Sequence, residues 1–335
     1  MKVEKPSDEL LSEVFRLRSL AAGYWTSWCL QAAVQLDLFT LLEKEALRAE
    51  EVAARLNLEP ALLTSLLKVL KMENIVASDD EGRFFNTDVA SAALVKGAPL
   101  DQTGSIQHNQ AAQILGPSFP KIFHPGFTLP ASEGVHESPK DLFLAAKSVA
   151  SLKASIVLPY LELGKKERIL DLGAGSGGYT FLMAQEHPDL TGTLIERGAM
   201  AEGSQSMALE LGLRDRIEVI DEDFLTANPG EDYTLALVSH IVHFVPFETS
   251  KKLFHRAFDS LLPNGRIFVH DLLRERPDQP MKEPELLNLN VYLRQGIGVP
   301  TCDEVVEWLL EAGFTDPKII NMPIGPNTLI SARKP

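Results

Sequence analysis

Cysteine is scarce in this chain: the two present, Cys29 and Cys302, have no companion at CxxC spacing. That excludes a disulfide framework and a cysteine-rich zinc site, and leaves both as small apolar residues suited to a reducing compartment. Long apolar runs are lacking as well. The opening MKVEKPSDELLSEV has no apolar core of the signal-peptide kind, and no later run reaches the roughly 18 uninterrupted apolar residues that would span a bilayer. A cytoplasmic protein with no membrane partner is therefore expected. Positive charge is outnumbered, with 32 Lys and Arg against 46 Asp and Glu, a net charge of −14. A nucleic-acid partner needs a basic face to neutralise phosphates, and the sequence shows no basic stripe. Internal repeats and low-complexity tracts are absent too.

The composition that remains is that of an ordinary globular protein, 45% hydrophobic and 23% charged over 335 residues, long enough for two domains with their own cores. Residues 7 to 22 carry Leu10, Leu11, Val14, Phe15, Leu17 and Leu20 at helical spacing. Helical patterns follow from Trp25 to Leu42, through AEEVAARLNL, and from Pro60 to Met72, where the proline opens the first turn. ENIVASDDEGRFFNT then reads as two short strands around a turn. Helices followed by a hairpin in this order spell a winged helix. Its presumptive recognition helix offers only Lys68 and Lys71, and the wing carries Asp79, Asp80 and Glu81, so phosphate is repelled there. The domain, residues 1–100, is read as a dimerisation module whose apolar first-helix face is broader than one domain can cover.

Residues 101–160 read as a helical connector, with Phe119, Phe123 and Phe127 in GPSFPKIFHPGFTLPASEG needing burial. A long helix between Ser138 and Tyr160 hands the chain to a third segment, 161–335, where strand and helix alternate as in a parallel sheet covered on both faces.

Within that segment RILDLGAGSGGYT, Arg168 to Thr180, reads as strand, tight turn and helix. The glycines free the backbone for unusual dihedrals and let a ligand approach without a Cβ in the way. Gly173, Gly175 and Gly178 satisfy the dinucleotide spacing GxGxxG, a weak signal alone. Asp171 near the strand end and Gly177, which completes GxGxG, favour S-adenosylmethionine (SAM), whose ammonium and sulfonium suit a carboxylate and which has no phosphates. Strand ends bring Asp171, Glu196, Asp223 with Phe224, His243 and Asp271 to one edge of the sheet, where ligands of such folds bind. Glu196 can accept both ribose hydroxyls. His240 and His243, in SHIVHF, have a spacing open to a metal but no Cys or HExxH companion, so no metal is expected. An imidazole near its ordinary pKa of about 6.5 can instead take a proton from an acceptor hydroxyl, and His243, farther into the loop, is the candidate.

Taken together, DLGAGSGG, TLIERG, DEDF, SHIVHF, LLPNGRIFVHD and TCDEVVEWLLEAGF resemble the SAM-dependent O-methyltransferases of the plant caffeate and hydroxyindole type and their bacterial relatives, over nearly the whole chain. The resemblance implies a Rossmann-like α/β sheet domain behind a winged-helix dimerisation domain, and a homodimer. It implies cofactor contacts from Gly173, Gly175, Gly177 and Glu196, with Asp223 and Phe224 over the adenine. His243 falls on the family's base, and Asp271, or else His270, on the residue that steadies it. Ser239 stands where plant members place a lysine near the adenine, and Gly298 and Val299 where a second glutamate is expected. The acceptor implied is a small aromatic or polycyclic hydroxyl compound, with Trp25, Trp28, His108, Phe119, Phe123, Asn290 and Tyr292 as candidate pocket walls. Methylation at carbon or nitrogen, a non-methylating reaction on the same fold such as decarboxylation or hydroxylation, and a winged-helix regulator remain open alternatives.

Overall fold

The computed structural model describes residues 7–124, 126, 127, 129, 130, 138–275 and 281–335. Of the expected connector, Pro125, Thr128 and residues 131–137 lie outside them. The chain divides into two compact units, Met1–Gln110 and Ala111–Pro335.

The first unit is helical with a small ribbon: α1 Asp8–Ala21, α2 Tyr24–Gln35, α3 Leu38–Leu42, α4 Ala49–Leu56, α5 Pro60–Met72, β1 Val76–Ser78, β2 Phe84–Asn86, α6 Asp88–Ala93, and the start of α7 Thr103–Ala112. Ser7 caps α1 by accepting the Leu10 N–H, yet nothing on α1 is buried, and its apolar residues stand from 38% exposed at Leu11 to 72% at Leu20. The helix expected from Trp25 to Leu42 is broken in two. Asp37 takes the left-handed conformation at φ 56°, steadied by the Thr40 hydroxyl donating to its carboxylate at 2.8 Å. Leu38, Phe39, Leu42, Val52, Leu63, Leu67, Leu70 and Val76 form the core that β1 and β2 cover, paired antiparallel.

The second unit is a seven-stranded sheet with helices on both faces. After a 3-10 stretch, Gln113–Phe123, come α8 Pro139–Val157, β3 Arg168–Leu172, α9 Gly178–Glu186, β4 Thr191–Glu196, α10 Ala199–Glu210, β5 Ile217–Asp221, β6 Tyr233–Ser239, α11 Phe247–Ser260, β7 Leu261–Asp271, α12 Lys282–Gln295, α13 Cys302–Glu311, β8 Thr315–Asn321 and β9 Thr328–Arg333. The strand order is β5-β4-β3-β6-β7-β9-β8, parallel from β5 to β7, with β9 antiparallel to both its neighbours. The long helix expected before the sheet domain, α8, belongs to this unit and packs on α9 and α10. With the turn after it, α8 has the length and a mean hydropathy, 1.5, that would suit a bilayer span by composition.

Side chains alternate across each strand, and this sorts the core. Leu170 and Leu172 of β3, Ala236 and Val238 of β6, and Ile267 and Val269 of β7 meet α11 and α13 on one face. Ile169, Leu235, Leu237 and Phe268 meet α8, α9 and α10 on the other. The TCDE sequence starts α13 with a reciprocal cap: Thr301 Oγ1 accepts the Glu304 N–H, and the Glu304 carboxylate accepts the Thr301 N–H.

Candidate active site

The expected turn between β3 and α9 is present. Every residue of β3 after Arg168 is buried, as a central parallel strand requires, and Asp171 is the lone charge among them. A buried carboxylate costs several kcal/mol unless it finds partners. Asp171 is half provided for: Thr180, in the first turn of α9, donates to Oδ2 at 2.7 Å, while Oδ1 has no hydrogen-bond partner among the described residues. Burial pushes the carboxyl up to about 7; the Thr180 hydroxyl opposes that shift and Glu196 adds to it.

The glycines do different work. Gly173 donates its N–H to Ile195 O at 3.1 Å and ties the turn to β4. Gly177, at φ 72°, has Phe181 and Leu194 so close that a Cβ would stand 2.5 and 2.6 Å from them. Gly175, at φ 57°, is the reverse case, since a Cβ there would meet nothing within 4 Å. It faces open space and its N–H donates to Glu196 Oε2 at 2.8 Å. Glu196 Oε1 accepts the Arg197 N–H at 2.9 Å. Burial raises the Glu196 carboxyl against these two N–H donors. Asp223 accepts the Leu225 N–H and pairs with Arg197 at 3.1 Å, while Phe224 leans on the sheet core. The hydroxyl of Ser176, inside the turn, is buried with no hydrogen-bond partner among the described residues.

Beyond β6 and β7 stands the second half of the site. Ser239 ends β6 in register with His270 of β7. Alternation then settles which neighbour steadies His243. His270 turns to the α8 and α9 face and meets the Tyr179 hydroxyl at 2.8 Å, whereas Asp271 receives the Nδ1 side of His243 in a short hydrogen bond. The Val242 N–H donates to Asp271 Oδ2 at 3.1 Å and the Leu272 N–H to Oδ1 at 2.7 Å. Burial would raise this carboxyl, but His243, the Leu272 N–H and Lys153 outweigh it and hold it below the usual carboxylate range. Among the described residues Nε2 of His243 has no hydrogen-bond partner, and the Phe244 ring lies against the imidazole at 3.9 Å between centroids.

His240, Lys153, Tyr179 and Asn327 surround this pair, and none was singled out for the role it holds here. His240 has φ 54°, uncommon for a residue with a Cβ, and its ring is boxed by Lys153 and Asn327. Burial, then Lys153, pushes His270 down to about 3. Burial pushes the Tyr179 hydroxyl well above its ordinary value. The only hint in the sequence was one lysine in the apolar stretch SLKASIV. His240, His243 and Asp271 offer donor atoms within 4.8 Å of one another, a spacing open to a metal, but Lys153 already sets a cation against one of those atoms.

Of the candidate pocket walls, Phe119 and Phe123 share an edge contact, centroids 5.9 Å apart, on the 3-10 stretch. Phe119 packs there with Leu289 and Leu293 of α12, the helix that carries Asn290 and Tyr292. Trp25 and Trp28 form an exposed aromatic group with Tyr24 on α2, and His108 lies on α7; all belong to the first unit.

The sequence pattern of an O-methyltransferase domain matches residues 112–315, more than half the chain, and that of an O-methyltransferase dimerisation domain matches residues 19–96. The chain belongs to the O-methyltransferase family. It is 23% identical over 314 residues to the 3-hydroxy-5-methyl-1-naphthoate 3-O-methyltransferase of Streptomyces sahachiroi, covering 91% of this chain and 90% of that one. It is 26% identical over 311 residues to the N,N-dimethyltransferase OxyT of Streptomyces rimosus, covering 89% and 90%. Human N-acetylserotonin methyltransferase, solved in complex with SAM, shares the fold with a TM-score of 0.83 at 21% identity, over 100% of this chain and 99% of that one.

O-methyltransferases of this family depend on SAM, and the turn after β3 fits that donor. The unpartnered Asp171 Oδ1 calls for a cation, the Ser176 hydroxyl for a polar group, and the opening at Gly175 leaves room for a ligand beside the Glu196 carboxylate.

Proposed function

We propose that this O-methyltransferase methylates a hydroxyl of a small aromatic or polycyclic acceptor, with His243 as general base. The observation that carries the reading is the buried pairing of His243 Nδ1 with Asp271, which leaves Nε2 with no partner among the described residues. Asp171, Gly173, Gly175, Gly177, Glu196, Asp223, Phe224 and Ser239 would hold SAM, which supplies an electrophilic methyl group when bound. Asp271, kept ionised, accepts the Nδ1–H and so leaves the lone pair on Nε2. Nε2 takes the acceptor's hydroxyl proton, and Asp271 stabilises the imidazolium that results. The buried setting keeps that charge pair out of water, where it would be weakened. Phe119, Phe123, Asn290 and Tyr292, with Trp25, Trp28 and His108, are proposed as acceptor contacts. The exposed apolar face of α1 is proposed to pair across a two-fold axis in a homodimer.

A second reading has the acceptor atom as nitrogen, which the similarity to an N,N-dimethyltransferase supports. An amine attacks through its own lone pair, so His243 would then matter little. A screen of phenolic and amine acceptors with methyl-labelled SAM, followed by NMR location of the label, tests both. Label on oxygen supports the proposal, and label confined to nitrogen or carbon contradicts it.

A further inference from the structure

Lys153 plays no part in the chemistry just set out, yet it sits half-buried on α8 with its Nζ 3.4 Å from His240 Nδ1. Among the described residues no carboxylate lies within ion-pair distance of it. The His240 ring has two nitrogens and three claimants. Nδ1 faces the Lys153 ammonium and lies 3.6 Å from Asp271 Oδ1; Nε2 lies 2.8 Å from Asn327 Nδ2. Burial first, then Lys153, His270 and His243, hold His240 well below its ordinary pKa, so the ring is neutral and carries one proton.

Where that proton resides matters to Asp271. An ammonium only donates, so Nδ1 must present its lone pair to Lys153, and the proton goes to Nε2. Nε2 faces Asn327 Nδ2, itself a donor, so this tautomer requires the carboxamide turned end for end, with Oδ1 accepting the Nε2–H. With the proton on Nδ1 instead, the ring would donate to Asp271 Oδ1 after a small rotation. That is the oxygen that takes the Nδ1–H of His243. Two imidazoles would then compete for one acceptor, and His243 would lose the partner that fixes its tautomer.

We infer that Lys153 is a positioning residue: by occupying His240 Nδ1 it locks His240 in the Nε2–H tautomer and reserves Asp271 for His243. The left-handed backbone at His240 fits this assignment, because it swings the ring out of the strand path and into the space among Lys153, Asn327 and Asp271. The role rests on the reading of His243 as the base.

The test is Lys153→Met, which keeps the apolar stem and removes the donor, in the unliganded full-length protein and in turnover. Long-range 15N–1H NMR of the histidines should show His240 as Nε2–H in the wild type and as Nδ1–H in the variant. The turnover number should fall about tenfold while KM for donor and acceptor stays put. In a His240→Phe background, which has no competing imidazole, Lys153→Met should cost nothing further. An unchanged His240 tautomer in Lys153→Met, or the same loss of turnover in the His240→Phe background, overturns the lock. A tautomer switch with no change in turnover overturns the positioning role, and His243→Ala tests separately whether His243 is the base.

Discussion

Replacing Asp171 with Asn tests the seat of the cofactor through protons. In the free protein burial raises this carboxyl to about 7, and one of its oxygens has no hydrogen-bond partner among the described residues. A cation bound against it will keep it ionised. Binding then releases the protons that the free form holds, about 0.9 per site at pH 6, about 0.5 at pH 7 and about 0.1 at pH 8. Affinity follows the ionised fraction and rises about tenfold from pH 6 to pH 8. Calorimetry with SAM in buffers of different ionisation enthalpy gives the proton count directly, and the ligand's own amine contributes equally in Asp171→Asn. The variant should bind more weakly at pH 8 and lose the share of proton release that belongs to Asp171. The same carboxyl has a stability signature. Its folded pKa is raised, so its contribution is full below about 3.8 and lost as pH rises through about 7. Without ligand, Asp171→Asn should match the wild type at pH 4 and melt higher at pH 8, by at most about 4 kcal/mol. Identical proton release and affinity profiles in wild type and variant would refute the reasoning.

Three further outcomes are expected. Gly177→Ala places a Cβ against Phe181 and Leu194 at a positive φ, and should cost about 2 to 4 kcal/mol in denaturant unfolding. Burial pushes Lys153 down to about 8 with Asp271 opposing, so its contribution to stability is present above about 10.5 and lost as pH falls through about 8. Lys153→Met should therefore be more stable at pH 7 by about 1 to 3 kcal/mol, a gain that vanishes near pH 10.5. Sedimentation at micromolar protein should give a dimer, and Phe15→Glu with Leu20→Glu should give a monomer, since both residues lie on the exposed face of α1.

Much of the fold was legible because its signals are local. Four glycines after an apolar run mark the turn, and Pro60 opens α5. The break at Asp37 was not legible, since a left-handed residue inside a helical pattern is stabilised by contacts with Thr40 and Lys96, the latter far away in the chain. In the site, the strand-end acids and His243 could be read from their order along alternating strands. The choice between His270 and Asp271 could not. Both faces of β7 are buried, so its residues carry no polar alternation to say which side chain points where. Lys153 lies on α8, Tyr179 on α9 and Asn327 just before β9, and only the fold sets them around His240.

The account turns on His243 drawing a proton from a hydroxyl while the donor sits in the β3 turn. His243→Ala, assayed for SAM affinity and for transfer to one identified acceptor, tests it most directly. Unchanged SAM affinity with transfer slowed by about 10² to 10⁴ is the outcome the account requires. Transfer within twofold of wild type would contradict it.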